Sequence, residues 1–199
     1  VRCGGQSAGI EGNLSLGSSP RWPYDKGTGK RMADTDTVTH LFILATAAEN
    51  AAEAMYLILA QRFAPYPEVT RFWHEMAHEE AVHARTLERL RERLAPEVLD
   101  SPAEPLMLQK AEGNARKDIV ERARRVSDLE EAYQLAHAVE NSEVNAVFEL
   151  LLTTFAEDPA SGQFLRAQLH EHVQRLTTAF PGVYSEVITR RAALPVDHL

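Results

Sequence analysis

The segment "LATAAENAAEAMYLILAQRFA" that begins at Leu44 returns at Leu135 as "LAHAVENSEVNAVFELLLTTFA", and this repetition limits the possible folds more than any other feature of the chain. Leu44 pairs with Leu135 and Glu49 with Glu140 at an offset of 91, whereas Tyr56 pairs with Phe148 and Phe63 with Phe155 at an offset of 92. The stretches that follow repeat too: "HARTLERL" and "HVQRLTTA" align His83 with His172 and Leu87 with Leu176, each 89 residues apart. The chain reads as two copies of one helical hairpin. The change of offset places one added residue just after Glu140, around Glu143, and a continuous helix takes up such an insertion as a π-bulge, frequently at a functional site.

Helix boundaries follow from the breakers. From about Thr37 to Phe63 neither Gly nor Pro interrupts the chain, with Asp36 or Thr37 as N-cap and "APYP" as the stop. A second helix runs from about Glu68 to Leu94 and ends before Pro96. After the break "DSPAEPLM", the weaker helical stretch "LQKAEGNARKDIVERARR", with Gly113 inside it, reads as a crossover. A third helix opens at "SDLEE", where Ser127 and Glu130 have capping-box spacing, and extends to about Phe155. The fourth spans about Pro159 to Ala179 and is closed by Pro181 and Gly182. No strand alternation competes, so the expected fold class is all-α: a four-helix bundle over residues 37–182 with one long crossover. Residues 1–36, rich in Gly, Ser and Pro, read as a flexible extension. Met32 is expected to be a natural start, with residues 1–31 an upstream extension, and residues 183–199 to be a tail or short helix.

Composition closes off several function classes. With 199 residues, 44% apolar and 25% charged, the chain fits one globular domain. Its net charge of −8 and the lack of a basic strip interleaved with aromatics exclude nucleic acid as a partner. Cys3 is the single cysteine, so an internal disulfide and any Cys-x-x-Cys metal module are excluded. A metal site would use nitrogen and oxygen donors. No apolar run approaches the ~20 residues of a membrane span, and no basic start precedes a hydrophobic core. A cytoplasmic protein without membrane contact is the expectation.

Polar residues on apolar stripes carry the functional signal. Glu49 falls in line with Leu41, Ala45, Ala48, Ala52, Met55 and Leu59, and Glu140 with Ala136, Val139 and Val147, so at about 100° per residue both point into the bundle. A buried carboxylate must be paired or bind a metal. Glu80 and His83 in "EEAVH" lie three residues apart on one helix face and can reach a common point. Inward glutamates on two helices opposite Glu-x-x-His on the others form the pattern of a di-iron or di-manganese carboxylate site. His74, His78, Glu75 and Glu79 read as a solvated face.

These residues resemble the rubrerythrin-like branch of the ferritin-like superfamily over roughly residues 38–180. The likeness rests on "AAENAAEAMY", on "EEAVH", on "VENSEVNAVF", and on the one-residue offset between the halves. It implies Glu49 as a terminal ligand, Glu80 and Glu140 as bridging ligands, Glu143 as a ligand that trades places with His83, and His172 as the holder of the second metal. Tyr56 would hydrogen-bond a ligand carboxylate. The fourth helix departs from the family pattern: "LHEH" puts Leu169 where Glu-x-x-His has its carboxylate. Gln168 is a substitute through its amide oxygen, and His137 is either a substitute or a hydrogen-bonded neighbour of the ligands.

Carboxylate and imidazole donors suit iron, as two ions or one, with manganese or zinc as alternatives. The expected function is reduction of peroxide or dioxygen, or oxidation of Fe(II). An enzyme of this kind would need a separate electron-donor protein, and a homodimer is the expected assembly. The alternatives are an iron-binding, storage or sensing protein with a degenerate second site, and a metal-free interaction bundle.

Overall fold

The computed structural model describes residues 36–115, 118–156 and 158–181. The expectations for residues 1–35, among them Met32, and for the tail at 183–199 lie outside the described residues. Four long helical elements and a helical crossover form the bundle: α1 (Val38–Arg62), α2 (Pro67–Arg93), a crossover of α3 (Pro96–Leu99), α4 (Pro105–Ala115) and α5 (Ile119–Arg125), then α6 (Leu129–Glu140), α7 (Glu143–Phe155) and α8 (Pro159–Thr178). Among the described residues the only β pairing is an isolated bridge from Thr37 to Pro102.

Thr37 caps α1, its side chain accepting from the His40 N–H, and the crossover is strapped to the same point by Val38 N–H to Ser101 and Ala103 N–H to Asp36. By length and composition α1 could cross a membrane, with a mean hydropathy of 1.3 in its most apolar window, which corrects the expectation that no run comes near a membrane span; a core helix passes the same test. Its inner side lies along α2, with Glu49 in the middle of the helix.

Two expectations need correction. The cap of α6 lies one residue later than Ser127: Asp128 accepts from the Glu131 N–H at 2.8 Å, while the Glu131 carboxylate reaches back to the backbone and hydroxyl of Ser127 at 2.7 and 2.8 Å. Glu130 is instead buried, with Gln134 donating to it at 3.1 Å. Asp and Ser are comparable caps, so the inward phase of Ala132, Leu135, Ala136 and Val139 decides between them. The added residue after Glu140, in turn, makes no π-bulge. The helix stops at Glu140, turns through Asn141 and Ser142, and restarts at Glu143. Side-chain amides add bonds at the break: Asn141 Nδ2 donates to the His137 carbonyl at 2.9 Å, beside the Asn141 N–H at 3.1 Å, and Asn145 Nδ2 to the Glu140 carbonyl at 2.5 Å.

The core divides in two. One cluster gathers Met55, Leu59, Phe72, Trp73, Leu135 and Leu176; the other gathers Phe42, Leu87, Phe148, Leu151, Leu152 and Leu169. Buried polar side chains occupy the level between them.

Candidate metal centre

Each long element lends a side chain to this polar layer at the position where its inner stripe passes from one cluster to the other. Glu49 lies between Ala45 and Ala52, Glu80 and His83 between Ala77 and Leu87, Glu140 between Val139 and Val147, and His172 between Leu169 and Leu176, each flanked by one member of either cluster. All five are buried.

Glu80 joins the two imidazoles. Its Oε2 lies 3.1 Å from His83 Nδ1 and its Oε1 3.2 Å from His172 Nε2. His83 Nδ1 also lies 3.5 Å from Glu49 Oε2, and His172 Nε2 lies 3.1 Å from Glu140 Oε1. The rings stand nearly perpendicular, 78° apart with centroids at 5.0 Å. Glu80, His83 and His172 each offer a donor atom within 4.8 Å of the other two, a group able to hold a metal ion. Glu49 Oε1 is buried without a hydrogen-bond partner.

A second ring of contacts orients this group. The far nitrogen of His172, Nδ1, donates to Glu79 Oε2 at 2.6 Å, and Arg175 donates to Glu79 Oε1 at 2.8 Å. The Tyr56 hydroxyl donates to Glu140 Oε1 at 2.5 Å, and Asn145 Nδ2 lies 3.4 Å from Glu140 Oε2. A cavity of about 220 Å³ opens beside the layer, lined by Glu79, His83, Phe148, Gln168, His172 and Arg175 among others.

The charges of the layer follow from burial and pairing. Burial raises Glu49 to about 8, only partly opposed by the hydrogen bond from His83. Burial would raise Glu80 also, but hydrogen bonds from His172 and His83 hold it well below the usual carboxylate range. For the histidines burial acts downward and loses: bonds to Glu49 and Glu80 lift His83 to about 9, and bonds to Glu140, Glu79 and Glu80 lift His172 to about 12. Burial also pushes Tyr56 well above its ordinary value, reinforced by the charge of Glu140. At neutral pH two imidazolium cations thus sit among the carboxylates, at the places a metal ion would otherwise neutralise.

Of the residues singled out in the sequence, Glu49, Glu80, His83, Glu140 and His172 meet in one layer, with Tyr56 bonded to Glu140. Residue 143 begins α7, but the side chain of Glu143 lies outside the described ones. Leu169 packs in the apolar cluster with Phe148 and Leu152. Gln168 is exposed and lines the cavity. His137 is not brought to the layer: it is exposed on α6 and stacks against Tyr133 at 6.1 Å. Three residues before Glu140 is ~60° around the helix, and at His137 that turn faces solvent. His74 and His78 are exposed as expected, but Glu79 is half-buried against His172 and not solvated. Arg175, three residues after His172 and so on its face of the helix, was the available signal for an acidic partner there. Asn145 was missed as well.

The model of the rubrerythrin family matches residues 42–160, more than half of the 199-residue chain. The matched span contains Glu49, Glu80, His83, Glu140 and Glu143 and ends at the start of α8, before His172. Comparison with curated proteins and with solved structures returns no match.

Proposed function

The chain belongs to the rubrerythrin family, and from that premise we propose that it is a non-haem iron carboxylate protein that reduces peroxide or dioxygen, or oxidises Fe(II), in the layer between its two apolar clusters. The observation that carries this reading is the buried Glu80, His83 and His172 group with its donor atoms within 4.8 Å. The donor set fits iron, since carboxylates and imidazoles suit a hard-to-borderline ion and no thiolate is present in the layer. The unpartnered Glu49 Oε1 is a buried acceptor that an ion would satisfy.

Glu49, Glu80 and Glu140, with His83 or Glu143, would hold one ion, and Glu80, Glu140 and His172 a second. Bound iron supplies the electrons for reducing peroxide or dioxygen, or yields them when Fe(II) is oxidised. The chain's own residues prepare for this. Glu79 accepts from His172 Nδ1, which fixes the ring with Nε2 facing Glu80 and Glu140. Tyr56 anchors Glu140 by its hydroxyl proton. Phe148 packs against His83 and shares an apolar cluster with Leu169 at the edge of the layer. His83 and His172 must each release a proton to present a lone pair, so binding is linked to pH. A separate protein would donate electrons.

Leu169 favours a second reading, in which the second place lacks a carboxylate and one ion is bound for storage or sensing. Elemental analysis after anaerobic Fe(II) loading of the wild type and of Leu169→Glu separates the two. Two irons in the wild type support the redox centre. One iron, rising to two in the variant, supports the one-ion reading, and none removes both.

A further inference from the structure

A row of aromatic side chains leads from the polar layer to the surface of α6. Tyr56, bonded to Glu140 Oε1, stacks on Trp73 with centroids 5.7 Å apart and planes 19° apart. Trp73 lies 5.4 Å from Phe180, Phe180 lies 5.3 Å from Tyr133, and Tyr133 stacks on His137 at 6.1 Å. The row starts at two fully buried rings, passes the half-buried Tyr133 and ends at the exposed His137.

Packing alone asks only for apolar area, which leucine or phenylalanine supplies as well. Here the oxidisable rings stand in order: a tyrosine at the layer, an indole against it, and a tyrosine near solvent with Phe180 between. Electron transfer weakens steeply with distance, so short hops between such rings outrun one long jump through the bundle. Trp73 Nε1 is buried without a hydrogen-bond partner. No group there takes its proton, so an oxidised Trp73 stays a cation, a strong oxidant that is refilled and not a trapped neutral radical.

We propose that Tyr56, Trp73 and Tyr133 carry single electrons inward from the α6 surface to the polar layer. This rests on the reading of that layer as a redox iron centre, with hydrogen peroxide as oxidant, reduced to two waters by two electrons and two protons. Each electron takes the same path. Tyr56 gives an electron to the oxidised centre while its hydroxyl proton crosses to Glu140 Oε1. Trp73 gives an electron to the Tyr56 ring, which takes the proton back. Tyr133 gives an electron to the Trp73 cation and its hydroxyl proton to solvent. A one-electron donor in solution, a reduced redox protein, then restores Tyr133, which recovers a proton from water. One electron has moved from donor to centre, and the protein is unchanged.

The first test needs no iron. In the full chain carrying Trp22→Phe, so that Trp73 is the remaining indole, and with His40, His74, His78, His170 and His198 replaced by Gln, a ruthenium photosensitiser is coordinated at the exposed His137 and oxidised by a flash. The absorption of a tryptophan radical cation is expected, lost in Trp73→Phe and slower to rise in Tyr133→Phe, a change of one half-buried hydroxyl. No radical in the folded protein, or an equal rate without the Tyr133 hydroxyl, overturns the proposal. The second test treats Fe(II)-loaded protein with peroxide and a nitroso spin trap and maps adducts by mass spectrometry. Adducts at Tyr133 are expected to vanish in Trp73→Phe at unchanged iron content; adducts persisting there overturn the link to the centre. A chain that passes the flash test but takes up no iron upholds the row and sinks the iron reading instead.

Discussion

Glu79 shows how much one side chain outside the ligand group controls. It holds His172 by Nδ1 and is itself held by Arg175, so Glu79→Gln frees the ring to turn and is expected to weaken Fe(II) binding by about 10–100-fold. Competition with a chromophoric chelator measures this; unchanged affinity would contradict the orienting role. The titrating groups set a pH trend. Folding raises Glu49 from 4.5 to about 8, His83 from 6.5 to about 9 and His172 from 6.5 to about 12. The folded state holds these protons more tightly, so each contribution is complete below the unfolded value and is lost as pH rises through the folded one. Glu79 and Glu80 are lowered, so theirs are lost as pH falls below about 4.5. The metal-free protein is therefore expected to melt at its highest temperature in mild acid and at falling temperature between about pH 6.5 and 9. With Fe(II) bound the trend over that window reverses, because protons compete for the ligands. Melting curves that rise with pH in the metal-free protein would contradict this assignment of charges. Sequence reasoning reached Glu49 and Glu140 through the apolar stripes they lie on, Glu80 and His83 through their three-residue spacing, and His172 through the repeat. Glu79 escaped it because a half-buried residue at a stripe's edge has no periodic signature.

At the scale of the element, the break between α6 and α7 replaces the expected bulge. The sequence located the insertion through the change of offset, but its form depended on Asn141 and Asn145, whose amides bond the carbonyls of His137 and Glu140 at the break. Asn145→Ala leaves the Glu140 carbonyl without its side-chain donor and is expected to cost about 1–3 kcal/mol in chemical denaturation. Deleting Ser142 turns α7 by ~100°, takes Val147, Phe148 and Leu151 out of their cluster, and is expected to abolish cooperative melting. A cooperative transition near that of the wild type would show that the break is slack. The cap of α6 gives the same lesson in small: Ser127 and Asp128 are equivalent locally, and only the packing of the whole helix chooses.

For the whole molecule, the repeat predicted the bundle, and the two copies differ where neighbours differ. His83 and His172 are matched in sequence, yet only His172 has Glu79 and Arg175 behind it. Leu169 is the largest departure. Leu169→Glu in the metal-free protein puts a carboxylate among Phe148 and Leu152 and is expected to lower stability by several kcal/mol, with part regained on adding Fe(II); calorimetry with and without metal reads both. Equal melting with and without the substitution would mean that this wall of the layer is open to water. The pairing of two imidazoliums with buried carboxylates has one further consequence, for the order of events as the protein is made. A small zinc domain cannot close until its ion arrives. With this layer neutralised from within, the chain is expected to finish folding before it meets a metal, and metal-free protein is expected to refold without one.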